Sequence, residues 1–295
     1  MSDNGAKIAA KRAEIEKRAK GGGGFFGKLF GGGGGGDLAQ EYISLGNLCK
    51  MDKLWNEAGQ AFENAADRYR QQGDSQHDCA TQFSEAANCY RKVDPNKAVA
   101  CLQRSAEIYT DMGRFTMAAK IHVSMGELYE NELADPTNCI THYQRAADYY
   151  NGEESKSSAN KCLEKVAQHH AELEHWKEAV NIYEQIAFWT ADHPTLKFGA
   201  KNHFFKALLC CLNKDPLDTA IALKKYEDAY PSFTDAREAK LIREILAAIE
   251  AQNEDDFTVA VASFDRISKL DNWQTGLLVK VKRRITQGED EDDLR

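Results

Sequence analysis

The stretch that decides the fold runs from FTMAAKIHVSMGELY (115–129) through TNCITHYQRAADYY (137–150) and SANKCLEKVAQHH (158–170) to KEAVNIYEQIAFWT (177–190). Set in register on Gly126, Ala147, Ala167 and Ala187, the four segments share one pattern. A small residue stands eight positions before the mark, at Ala118, Cys139, Ala159 and Ala179, and a bulky one four before it, at His122, Tyr143, Leu163 and Tyr183. Three positions after the mark come Tyr129, Tyr150, His170 and Thr190. At about 100° per residue these slots fall within roughly 80° of one another on a helix, so each segment presents one stripe of alternating small and bulky side chains.

The mark recurs outward at Gly46, Ala66, Ala87 and Ala106 on one side and at Ala207 on the other, with spacings of 20, 21, 19, 20, 21, 20, 20 and 20 residues. This is an internal repeat. In the flanking units Tyr42, Phe62, Phe83, Leu102 and His203 fill the bulky slot, and Ala58, Cys79, Ala98 and Gly199 the small one, with Leu38 as the exception. A unit of this length holds one helix of about 14 residues and a short turn, so two units make an antiparallel hairpin of about 40. Turn signals at Gln72-Gly73-Asp74, Val93-Asp94-Pro95, Asp111-Met112-Gly113, Ala134-Asp135-Pro136, Asn151-Gly152 and His193-Pro194 agree. Stacked hairpins predict an all-α, open and twisted sheet of helices over residues 37–212.

Beyond Cys211 the register fades, while KDPLDTAIALKKYEDAY (214–230), TDAREAKLIREILAAIEAQ (234–252) and DDFTVAVASFDRISKL (255–270) stay helical in pattern. A smaller C-terminal helical bundle is expected over 213–285, followed by an acidic, disordered tail at 286–295. Ahead of the array stand a basic helix at 1–20 and a glycine-rich loop at 21–36 that holds 11 of the 21 glycines. Only five prolines interrupt 295 residues, which suits a chain that is nearly all helix.

Charge and cysteine usage narrow the function classes. With 38 Lys and Arg against 46 Asp and Glu the chain carries a formal net charge of −8, which argues against nonspecific nucleic-acid binding. The eight cysteines show no C-x-x-C pair and no zinc-finger partner, so they read as buried apolar residues of a reducing compartment. No apolar run reaches the ~18 residues of a membrane span, and the basic start lacks the apolar core of a secretory signal. A cytoplasmic location is expected. His169, His170, His175 and Cys162 lie near one another, yet no nucleophile motif or carboxylate pair frames them, so neither an enzyme nor a cofactor is expected.

Two features point to binding. Six residues before the mark, about 160° from the packing stripe, lysine recurs at Lys120, Lys161 and Lys201, in units that belong to alternate helices and hence to one layer. Such a row suits an extended acidic partner, the plainer reading being a solvated face. The glycine-rich loop carries Phe25, Phe26, Leu29 and Phe30 beside Lys28. Four such side chains, at about 1.5–3 kcal/mol each when buried, are enough for weak, reversible membrane attachment. The alternative is a linker whose phenylalanines tuck back onto the array. Lys28 precedes Leu29 rather than Ser or Thr, which excludes the usual phosphate-binding loop.

The runs FFGKLFGG, YTDMGRFTMAAK, GEESKSSANKCL, IYEQ, LKFGAKNHFFKA and the terminal EDDLR resemble the soluble NSF attachment proteins, along essentially the whole chain. The resemblance implies a twisted superhelical sheet of tetratricopeptide-like hairpins followed by a helical bundle. It implies an adaptor that clamps the assembled four-helix SNARE complex (syntaxin, synaptobrevin and SNAP-25-like proteins), recruits the hexameric ATPase NSF and supports disassembly on the cytosolic face of membranes. By motif, Arg91, Lys92, Arg114, Lys120, Lys161 and Lys201 would face the SNAREs; Phe25, Phe26, Leu29 and Phe30 would meet the membrane; Glu250 and Leu294 would couple to NSF. Ala247 and Ala251 depart from the more acidic face expected around Glu250, and the glycine runs around FFGKLF are longer than expected. A general repeat scaffold that holds short peptides is the second reading.

Overall fold

The computed structural model of the chain describes residues 3–21, 34–73 and 75–292, with side chains for 4–19, 38–73 and 75–285. Among the described residues the regular structure is helical throughout. The helices are α1 (Asp3–Gly21), α2 (Gly34–Met51), α3 (Trp55–Gln72), α4 (Gln76–Tyr90), α5 (Pro95–Asp111), α6 (Phe115–Leu128), α7 (Pro136–Gly152), α8 (Lys156–Glu172), α9 (Trp176–Asp192), α10 (Ala200–Lys214), α11 (Pro216–Ala229), α12 (Arg237–Glu250), α13 (Glu254–Asp265) and α14 (Asn272–Asp292). A π-helical stretch, Tyr129–Leu133, continues α6.

Local chemistry sets the helix ends. Three prolines stand in the first turn of α5, α7 and α11, each behind an aspartate whose carboxylate accepts backbone N–H groups that the helix leaves unpaired. Asp94 accepts from Lys97 at 3.2 Å, Asp135 from Asn138 at 3.0 Å, and Asp215 from Leu217 at 2.6 Å and Asp218 at 3.1 Å. Many of the turns reverse through one residue in the left-handed region: Lys53, Gly73, Gly113, Ala134, Glu154, Glu174 and Gln252. Glycine marks only two of these, so the turns at Lys53 and Glu174 carry no glycine or proline signal.

The chain divides into two compact units, 1–162 and 163–295. In the first, the repeat stripe is the core: Ala58, Phe62, Ala66, Cys79, Phe83, Ala87, Ala98, Ala118, Cys139, Tyr143 and Ala147 are all buried. The small residues give the neighbouring ring its seat. A Cβ on Gly46 would stand 2.9 Å from the Phe62 ring, one on Gly126 2.9 Å from Tyr143, and one on Gly59 2.7 Å from Tyr90. At the two marks that are glycine, the bulky slot of one unit thus rests on the mark of the unit before it, where a side chain would push the helices apart. Helix α1 joins this core through Ile8 and Ile15.

Polar contacts between alternate helices recur at about two repeat lengths. Arg104 reaches Glu63, Lys97 reaches Asn56 and Arg91 reaches Glu132, each across 41 residues, and the Thr110 and Tyr149 hydroxyls meet across 39. Alternate helices therefore lie side by side in one layer, as the hairpin reading requires.

The second unit keeps this spacing for a while. Lys206 of α10 pairs with Glu164 of α8 across 42 residues, and Lys225 of α11 with Glu184 of α9 across 41. The alternation thus extends through α11, one helix past Leu212. Phe188, Phe204, Tyr226, Tyr230 and Phe233 cluster there. Helices α12 and α13 then form a hairpin, and α14 lays Leu277, Leu278, Val281 and Ile285 into the same core. Helix α2 begins at Gly34, inside the stretch read as loop, and α14 continues to Asp292, through residues read as tail.

Candidate partner-binding face

The six cations singled out from the sequence all sit on or beside alternate helices. Arg91 and Lys92 follow α4, Arg114 caps α6, and Lys120, Lys161 and Lys201 lie on α6, α8 and α10. Four are open: Lys92, Arg114, Lys120 and Lys161 are exposed and form no ion pair among the described residues. The other two are engaged. Arg91 lies against Glu132 at 2.8 Å, and the Lys201 ammonium stands 3.6 Å from the Glu238 carboxylate. Glu132 and Glu238 were invisible to the sequence reading, because each is some 40 residues from its cation.

Behind Arg114 and Lys120 the α6–α7 hairpin is held by a continuous stack of rings. Phe115 stacks on Tyr149 at 5.7 Å, Tyr149 on His122 at 5.8 Å, His122 on His142 at 5.3 Å and His142 on Tyr129 at 5.4 Å. At its centre the two histidines share a hydrogen bond, Nδ1 to Nδ1, at 3.1 Å. One must donate and the other accept, so the acceptor ring is neutral. Burial pushes both down to about 4, with the His142 ring adding repulsion at His122 and Arg145 at both. The sequence marked His122 only as a bulky slot.

The first helix is less basic than its composition. Lys11 and Arg18 both pair with the nearly buried Glu41 of α2, and Arg12 pairs with Glu57 of α3. These cations hold α1 to the array rather than serving an outer surface. Phe25, Phe26, Leu29 and Phe30 lie outside the described residues, as does Leu294.

Glu250 is exposed at the C-terminal end of α12. Its turn brings up Glu254, Asp255 and Asp256 of the first turn of α13, where Asn253 caps Asp256 N–H at 3.0 Å. The acids that follow Glu250 thus come from the next helix, and one of them, Glu254, pairs with Lys282 at 2.9 Å. Ala247 and Ala251 instead line a cavity of about 750 Å³ between α12 and α13, with Leu241, Val259, Phe264 and Ile267.

No group of three His, Cys, Asp or Glu among the described residues could hold a metal. His169 meets Glu172 at 2.7 Å, His170 meets His175 at 3.4 Å, and burial pushes the Cys162 thiol up to about 11, far from a thiolate nucleophile. Nor is any described helix long and apolar enough to cross a membrane.

Comparison with known proteins gives one family. The sequence model for "Soluble NSF attachment protein, SNAP" matches residues 6–286. The beta-soluble NSF attachment protein of Bos taurus is 50% identical over 282 residues, 95% of this chain and 94% of that one. The alpha-soluble protein of Mus musculus is 49% identical over 297 residues, 99% and 100% of the two chains. The vesicular-fusion protein SEC17 of Komagataella phaffii is 32% identical over 264 residues, 88% of each. Among solved structures, a signal-transduction ATPase of Pyrococcus horikoshii with a tetratricopeptide repeat sensor overlays with a TM-score of 0.51, over 96% of this chain and 44% of that one. At 13% identity that likeness speaks for the fold alone, an all-α tetratricopeptide-like one.

Proposed function

This chain belongs to the soluble NSF attachment protein family, whose members are non-enzymatic adaptors, and from that premise we propose that it binds assembled SNARE bundles and couples them to the NSF ATPase for disassembly in vesicle fusion. The observation that carries the reading is the set of open cations, Lys92, Arg114, Lys120 and Lys161, on alternate helices with no carboxylate of their own among the described residues. An acidic coiled coil is long enough to touch several at once, whereas a short peptide would meet one or two. Exposed cations contribute little to folding but much to encounter with an acidic partner. The acids around Glu250, together with Leu294, form the proposed NSF-facing end, and Phe25, Phe26, Leu29 and Phe30 the proposed membrane contact. Such a contact would keep the adaptor near anchored substrate at high effective concentration.

The test is binding of a soluble, assembled SNARE four-helix bundle by the Lys120→Glu, Lys161→Glu double variant. Binding should be lost while helical circular dichroism is kept, and wild-type binding should weaken steeply with salt. Undiminished binding by a folded double variant would leave the lysines a solvated face and overturn the assignment of this face, while a wild-type chain that bound isolated peptides and not the bundle would favour the peptide-scaffold reading.

A further inference from the structure

The two engaged cations are held in different ways. Glu238 is nearly buried, and its Oε2 has no hydrogen-bond partner, so Lys201 cannot leave without stranding a buried charge. Arg91 and Glu132 are both partly open, with side chains 34% and 28% exposed, and water can replace either partner. Their geometry is nonetheless specific. Arg91 Nε donates to Glu132 Oε1 at 2.8 Å and to Oε2 at 3.1 Å, while Nη2 stands 2.8 Å from Oε1. A planar fork of this kind matches any carboxylate, the chain's own or a partner's.

Position adds to the argument. Glu132 is carried by the π-helical stretch Tyr129–Leu133, which ends at Ala134 with φ 51°. The extra residue per turn lets α6 run on beyond its last regular turn, alongside the end of α4. It thereby sets one carboxylate at the edge where Arg91 and Lys92 stand.

We propose that Glu132 is an internal competitor for the acidic partner: it occupies Arg91 in the free adaptor and gives it up when a partner carboxylate arrives, so that weakly acidic surfaces fail to displace it. The proposal rests on the reading of this face as the SNARE-binding one, and makes Glu132 a determinant of specificity rather than a contact. Exchange is cheap because a half-exposed ion pair is worth about 0.2–1 kcal/mol, which corresponds to a handicap of about 1.4- to 5-fold in partner affinity.

A double-mutant cycle on the full chain tests this, with wild type, Glu132→Gln, Arg91→Gln and the double variant each titrated with a soluble SNARE four-helix bundle at fixed salt. Glu132→Gln should bind about 1.4- to 5-fold tighter, with the gain mainly in association rate. Arg91→Gln should cancel that gain, giving a non-additive cycle. A gain that survives Arg91→Gln would show a general field effect of removing one negative charge, and would overturn the proposal. So would unchanged or weaker binding by a folded Glu132→Gln chain. Should Glu132→Gln unfold, Glu132→Ala removes the same carboxylate at an exposed position, and tighter partner binding is again the expected result. The Lys120→Glu, Lys161→Glu chain serves as reference. If it loses binding while the cycle is additive, only the competitor is refuted. If it binds like wild type, the face itself is misassigned and the proposal falls with it.

Discussion

Replacing Lys201 should unsettle the second unit rather than merely weaken partner binding. Its ammonium stands 3.6 Å from Glu238 Oε1, and the Glu238 side chain is only 10% exposed against 48% for Lys201. In bulk water a pair at this distance gains about 1 kcal/mol; at the effective dielectric of a protein surface the figure is about 4. Half of the lysine remains in water, which argues for the lower half of that range, so Lys201→Gln should cost about 1–2.5 kcal/mol. The cost comes from stranding Glu238, whose Oε2 already lacks a partner. The assay is urea unfolding followed by tryptophan fluorescence in a Trp55→Phe background. The remaining Trp176, Trp189 and Trp273 then all report on residues 163–295. With a urea slope of about 2 kcal/mol/M, the midpoint should fall by roughly 0.5–1.2 M, and Glu238→Leu added to Lys201→Met should restore most of it. An unchanged midpoint for Lys201→Gln, together with lost SNARE-bundle binding, would refute the reasoning and return Lys201 to the partner-facing row.

Two further outcomes follow from the first unit. Gly126→Ala should destabilise by about 1–3 kcal/mol despite alanine's better helix propensity, because its Cβ would meet the Tyr143 ring at 2.9 Å; thermal unfolding checks this, and Tyr143→Leu should make the alanine harmless. Acid should loosen the α6–α7 hairpin: His122 and His142 are lowered from 6.5 to about 4, so the unfolded chain binds more protons between those values. Stability is therefore full above pH 6.5 and is lost as the pH falls toward 4, by about 2 kcal/mol per histidine at pH 5. Amide hydrogen exchange of α6 and α7 at pH 7 and pH 5, corrected for the intrinsic rate, reads the difference, and His142→Leu should reduce it by roughly half.

The repeat stripe was legible because burial is periodic: a slot that must seat a ring, such as Gly126 beneath Tyr143, recurs wherever the helix turns the same face inward. Phase also found Lys120 and Lys161, since it says which side chains point out. It cannot say what stands opposite. Lys201 shares the phase but is held by Glu238. The turns at Lys53 and Glu174 escaped notice because a non-glycine residue takes the left-handed conformation there at a cost of about 1–2 kcal/mol, offset by packing on both sides. A usable signal did exist. Arg91 and Glu132, Arg104 and Glu63, Lys206 and Glu164, and Lys225 and Glu184 are opposite charges about two repeat lengths apart, the separation at which alternate helices touch.

The same rule sorts the cations that remain. Two repeat lengths from Lys120 stands not an acid but Lys161, 41 residues on. Where the array is occupied with its own cohesion, it pairs unlike charges at this separation; here it repeats a like one. Stacked like charges weaken a fold slightly, and a chain that carries acids in excess could easily have placed one there. A like-charged row adds no ion pair to the array, which supports the proposed partner-binding role of these lysines. Charge reversal at Lys120 alone would then relieve the folded state while it impairs binding, whereas at Lys201 the cost falls on the fold. Stability and binding, measured on the same variants, therefore separate the two roles that one helical phase had joined.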